Sequence, residues 1–243
     1  MKNDEKMALH LPAEFAQAGA VTILTGDAPK PLLPPQALAY AGRLDTPRRF
    51  HEPKQDNYAP LQCTFEVDSE ANSVRFIGFE KSHESADVIT GALVPSEALR
   101  QFKLNTGDRW TIAQLVELVK RMRPYFATQE AQLALLTRLR NWSIAVTKTY
   151  EEMTSLEGNA RKLALTKVEG AAPDSFKLHL PIYKGYPKET FEVEFGVEAD
   201  GAGVKLYMDS PQLLDLLLEK KEQYLKTEVD YFTAWGCSVI WRS

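Results

Sequence analysis

Lys120, Arg121 and Arg123 crowd into four residues at the end of "TIAQLVELVKRMRPYF", and Arg138 and Arg140 follow. Cations spaced this way can neutralise the phosphates of a nucleic-acid strand. Trp110, Tyr125, Phe126 and Trp142 are interleaved with them and offer flat faces for bases. A second cluster, Asp45, Arg48, Arg49 and His51 around Pro47, has the charge to hold an anion, or is a plain surface turn. Glu192 and Glu194 stand two apart on one strand face, the spacing of an acid–base pair; on a wet sheet face such a pair is ordinarily just solvated.

The basic stretch also has a complete structural reading. Thr111 is an N-cap with Gln114 three residues on, which makes a capping box, and Trp110 and Leu115 are placed as a hydrophobic staple. At 3.6 residues per turn, Ile112, Leu115, Val116, Leu118, Val119 and Met122 fall on one side. Lys120 and Arg121 fall on the other, three and four residues after Glu117, the spacing of surface ion pairs. Basic residues in a last turn complement the helix dipole, and Pro124 stops the helix. This structural reading is preferred to a phosphate grip. Arg138 and Arg140 project about 200° apart and cannot form one patch unaided. Leu135, Leu139, Trp142, Val146 and Met153 follow helical spacing, which makes Trp142 a core residue.

Other chemistry lacks its motif. The chain has no phosphate-binding loop, dinucleotide fingerprint, HExxH, CxxC or GxSxG elbow. His10, His51, His83 and His179 are scattered, and "DGAG" (200–203) reads as a turn between strands. Neither a metal nor a cofactor is expected, and no catalytic residue is assigned.

The elements that must position these residues can be read from the pattern. The chain has 243 residues, 44% hydrophobic and 26% charged, the balance of an ordinary globular protein. A net charge of −4 argues against a generic nucleic-acid or membrane binder. The charge is uneven: residues 100–150 carry nine Lys and Arg against three Asp and Glu, and residues 151–243 carry eleven against sixteen. Cys63 and Cys237, with no disulfide framework, suit a reducing compartment. The first twenty residues hold no signal-peptide core or membrane span, so the expected location is the cytoplasm, with no membrane partner.

Residues 1–19 read as a mobile start and residues 20–243 as one domain. "AVTILTG" (20–26) reads as a strand. Residues 28–54 hold six prolines and read as extended chain with turns, packed by Leu32, Leu33, Leu38, Tyr40, Leu44 and Phe50. "LQCTFEVD" and "SVRFIGFE" form a hairpin across "SEAN", followed by a strand "ADVITGALV". "PSEALRQF" is a short helix with proline in its first turn, and 111–123 and 128–155 are long helices. "RKLALTKV", "SFKLHLPIYKG", "ETFEVEFGVEA" and "GVKLYM" are strands; the second and third pair through "YKGYPKE" with Phe176, Leu178, Leu180 and Ile182 inward. A closing helix begins at Ser210-Pro211, and "CSVIW" is a last strand. The fold class is α+β, with antiparallel strands before and after a central pair of helices.

Three blocks, "PLLPPQALAYAGRLDTPRRF", "TGALVPSEALRQFKLNTGDRWTIAQLVELVKRMRPYF" and "FKLHLPIYKGYPKETFEVEF", resemble the YfdQ-like proteins of phages and prophages in their order over roughly residues 20–200. The resemblance implies a protein of phage or prophage origin in the cytoplasm of the host bacterium, accessory rather than part of the virion. It carries no catalytic residue across. The expected function is non-catalytic binding of a host or phage macromolecule, with a protein partner favoured and a role against host defence in view. The alternatives are a single-stranded nucleic-acid binder in phage recombination or replication, and a nucleotide-acting enzyme. The candidate binding residues are Lys120, Arg121, Arg123, Arg138, Arg140, Arg48 and Arg49.

Overall fold

Two-residue alternation decides which strand faces are buried. The structure is a computed structural model that describes residues 37–81, 86–153, 172–200 and 203–242. Strands β2 (Thr64–Asp68) and β3 (Ser73–Phe79) pair antiparallel, with Phe65 opposite Phe76 and Val67 opposite Val74. All four side chains are buried, and Asn72 turns the hairpin at φ 52°, a left-handed conformation that Asn tolerates. With β1 (Ala39–Arg43), β4 (Ala86–Ala92) and β8 (Ser238–Arg242) they form a five-stranded sheet in the order β1-β4-β3-β2-β8.

This sheet is mixed rather than wholly antiparallel. β1 runs parallel to β4, and β8 runs parallel to β2. A parallel neighbour requires a long crossover. Here nearly the whole remaining chain intervenes between β2 and β8, so no local pattern could announce the pairing.

β5 (Ser175–Pro181), β6 (Lys188–Asp200) and β7 (Gly203–Asp209) form a second, antiparallel sheet. Phe176 lies opposite Val193 and Leu178 opposite Phe191, so the expected hairpin through "YKGYPKE" is present. Phe176, Leu178, Leu180 and Ile182 are buried, and Glu192 and Glu194 lie exposed on the other face.

Five α-helices lie among the described residues: α1 (Thr46–His51), α2 (Glu97–Phe102), α3 (Ile112–Arg121), α4 (Gln129–Met153) and α5 (Pro211–Trp235). The closing helix, α5, is capped as its sequence predicts: Ser210 Oγ accepts the Leu213 N–H at 3.2 Å and Pro211 opens the first turn. Gly236 ends it at φ 89°, where a side chain would be strained.

The proline-rich stretch departs from its expected extended form. Its described part holds strand β1 and helix α1, because Pro47 falls in the first helical turn, where a missing N–H costs nothing. Leu44 is fully buried, whereas Leu38 and Tyr40 are 44% and 60% exposed, at the edge of the sheet formed by the described residues. Pro95 stands outside α2, not in its first turn, since Ser96 is the N-cap. The expected mobile start (1–19) and the strands at 20–26 and 161–168 lie outside the described residues.

Gly91 makes the turn from β1 into α1 fit over the sheet. A Cβ there would sit 2.5 Å from the Leu44 carbonyl oxygen and 2.7 Å from that of Arg43. Both obstacles are backbone and cannot swing aside. Gly91→Ala is therefore expected to destabilise the protein by about 1–3 kcal/mol, read from urea unfolding; an unchanged midpoint would refute the close approach.

Candidate functional site

The α1 cations are already satisfied. Arg48 Nε lies 3.1 Å and 3.3 Å from the two carboxylate oxygens of Glu228, which is only 2% exposed. Arg49 Nε lies 2.6 Å from Asp45 Oδ2, and Arg43 reaches the same oxygen at 3.1 Å. The cluster is a short helix with Asp45, Pro47 and His51 turned inward, not a surface turn. An incoming anion would have to displace Glu228 or Asp45.

His51 is fully buried. Its Nδ1 lies 3.0 Å from the Tyr231 hydroxyl, and its ring packs against Trp235 at 4.0 Å and against Tyr58, Phe76 and Phe232. Burial lowers its pKa to about 4, so the ring is neutral at neutral pH. A ring so enclosed meets no solute, and its work is packing.

Beside it the Tyr58 hydroxyl donates to Asp87 Oδ2 at 2.5 Å and to Glu80 at 3.2 Å. Burial, then the carboxylates, hold its pKa above the ordinary value, so it stays a donor. Asp87 Oδ1 accepts the Leu38 N–H at 2.9 Å, which fixes the entry to β1. Among the described residues no three His, Cys, Asp or Glu side chains are grouped to hold a metal ion.

The α3–α4 hairpin presents the remaining cations. Both halves of the capping box are present: the Thr111 N–H donates to Gln114 Oε1 at 2.9 Å, and the Gln114 N–H to Thr111 Oγ1 at 3.2 Å. Leu115, Leu118, Val119 and Met122 are buried, as are Leu135, Leu136 and Leu139 of α4. The buried Gln132 side chain donates to the Val119 carbonyl at 2.8 Å and fixes the antiparallel packing. At its root, Trp110 exchanges backbone hydrogen bonds of 2.7 and 2.8 Å with Leu206 of β7.

The hairpin sorts the basic residues. Lys120 pairs with Glu117 at 2.5 Å, and Arg123 donates to Gln129 at 2.8 Å across the turn between the helices. Arg121 and Arg140 form no ion pair among the described residues, and both rim the outer face. Two open clefts there, of about 410 and 450 Å³, meet along Ala113 and Glu117. Ile112, Val116 and Ile144 line the second, and Ile144 is 68% exposed. Leu133 lies on the same face of α4 and is 50% exposed.

Arg138 points to the opposite side of α4, into a cleft of about 430 Å³ with Asn141, Trp142 and Asp174. The 200° separation read from the sequence therefore splits Arg138 from Arg140. The aromatic residues are engaged: Trp142 and Phe126 are buried, Phe126 stacks on Phe176 at 5.9 Å, and Lys188 lies over Tyr125 at 5.6 Å. The seven candidate cations thus fall on three separate surfaces. Sequence reasoning missed the exposure of Ile144, and counted Ile112 and Val116 with the buried side although both are partly open.

No protein-family model, curated protein or solved structure matches the chain. Among the described residues no helix is long and apolar enough to cross a membrane.

His51 gives a pH test of the core beneath α1. In the unfolded chain it takes its proton near pH 6.5, and in the folded protein only near 4. The folded pKa is depressed, so its stability contribution is full above the unfolded value and is lost as pH falls toward 4. The loss amounts to about 3 kcal/mol. His51→Phe should flatten urea-unfolding stability across that window, whereas an equal slope in both proteins would contradict the burial assigned to His51.

Proposed function

We propose that this chain is a non-catalytic binding protein that engages a protein partner through the outer face of the α3–α4 hairpin. The observation that carries the reading is the exposed Ile144 in an apolar cleft flanked by Arg121 and Arg140, which form no ion pair among the described residues. An amphipathic helix with an acidic flank is the occupant whose chemistry fits: its apolar side fills the cleft beside Ile112, Val116 and Ile144, and its acids meet the arginines. The resemblance to phage and prophage proteins supports an accessory role in the cytoplasm of an infected or lysogenic bacterium. Its partner is a host or phage protein, and a component of host defence is the class to test first.

Single-stranded nucleic acid is the second reading, favoured by the same two arginines. Among the described residues it lacks a run of exposed aromatic faces for successive bases.

The test is affinity capture from nuclease-treated lysate with wild type, Ile144→Asp and the Arg121→Glu/Arg140→Glu pair. A protein retained by wild type should be lost at least about tenfold in both variants, the effect of removing a central contact, with thermal melting unchanged. Equal retention by the variants would refute the surface. For nucleic acid, anisotropy with a single-stranded oligonucleotide should show weak binding; tight binding with a log–log salt slope of about −0.7 per phosphate contact would promote the second reading.

A further inference from the structure

Cys63 and Cys237 are far apart in the sequence but side by side in the fold. β2 and β8 run parallel and in step, from Thr64 opposite Ser238 to Asp68 opposite Arg242. One residue before that first pair come Cys63 and Cys237. Cys63 is extended, at φ −113° and ψ 151°, so the alternation of β2 continues back to it and sets it on the core side with Phe65 and Val67. Cys237, in step with it, lies on the same side, and both residues are buried. Neighbouring strands stand about 4.8 Å apart, within the Cα separation of about 4.4–6.8 Å that a disulfide spans. Burial, then the charge of Cys63, pushes the Cys237 thiol up to about 12.

We infer that Cys63 and Cys237 are a latent disulfide pair that clamps β8 to β2 when the protein meets an oxidising small-molecule disulfide. The chemistry balances as two thiol–disulfide exchanges. One cysteine thiolate attacks a sulfur of glutathione disulfide, breaks its S–S bond and releases one glutathione thiolate. The second cysteine then attacks the protein sulfur of the mixed disulfide and expels the other. The two cysteines are oxidised, one glutathione disulfide is reduced to two glutathiones, and the two cysteine protons end on them.

Burial makes the folded thiols slow partners, so access depends on β8. This strand is five residues long and, among the described residues, sits at the sheet edge with β2 as its single neighbour. Its detachment frees Cys237 without unfolding the rest. The reaction therefore runs at the pace of β8 opening, and the finished disulfide forbids that opening. The pair records an oxidising episode as a locked chain end.

The test incubates the intact wild-type protein with glutathione disulfide at mildly alkaline pH. Both free thiols should disappear without dimer formation, and peptide mapping should find Cys63 joined to Cys237. The oxidised protein should melt several degrees higher than the reduced one, and dithiothreitol should reverse the shift. Ile240→Gly, which weakens β8, should speed the loss of thiols several-fold, while Cys237→Ser should form no intramolecular link. Separate glutathione adducts on the two cysteines, links between chains, or thiols that stay reduced would each overturn the inference.

Discussion

The packing of α5 against both sheets is the constraint on which the structure depends. Phe232 stacks on Phe65 at 4.2 Å and on Phe76 at 5.3 Å, all three fully buried. Removing each such ring from water is worth about 1.5–3 kcal/mol. Toward its N-terminal end, α5 holds the second sheet: Gln212 accepts the Glu192 N–H, Tyr183 donates to the Leu217 carbonyl, Lys220 pairs with Glu189, and Tyr224 stacks on Tyr186 at 4.1 Å. Neither sheet has another helix that spans it in this way among the described residues. Midway, Glu228 meets Arg48 in a nearly closed site. Burial raises the carboxyl's pKa and Arg48 pulls it back, so the pair offsets its own desolvation rather than adding much net stability. What it supplies is register, since only one rotation of α5 brings Glu228 to Arg48.

Much of this was legible where the determinants are local. The β2–β3 and β5–β6 hairpins follow from alternation between turn residues, and the starts of α3 and α5 follow from Thr111, Gln114, Ser210 and Pro211. The parallel partners were not legible. β8 lies beside β2 only because α5 returns the chain across the sheet, and β1 gives no alternating apolar signal because it lies at an edge. In the same way, the prolines of residues 28–54 mask α1, whose first turn holds Pro47.

The candidate surface was half legible. The sequence locates the cations but not all their partners: spacing matches Lys120 to Glu117, whereas Arg48 meets an acid 180 residues away. Helical periodicity tells which residues share a face, not whether another element covers it. Leu133, Arg140 and Ile144 share a face of α4, and only the packed hairpin shows that face left open. An isoleucine at an outward position was the one available signal.

The hairpin is pinned at its root by Trp110 and Leu206 and internally by Gln132. Under the function proposed above, this face meets a protein. The most direct measurement places a photocrosslinking amino acid at Ala113, in the cleft, or at Lys177, exposed on β5, in cells that hold the partner. The account predicts a discrete protein adduct from position 113 that survives nuclease, and none from position 177. Adducts from both positions, or a nuclease-sensitive adduct from position 113, would contradict it.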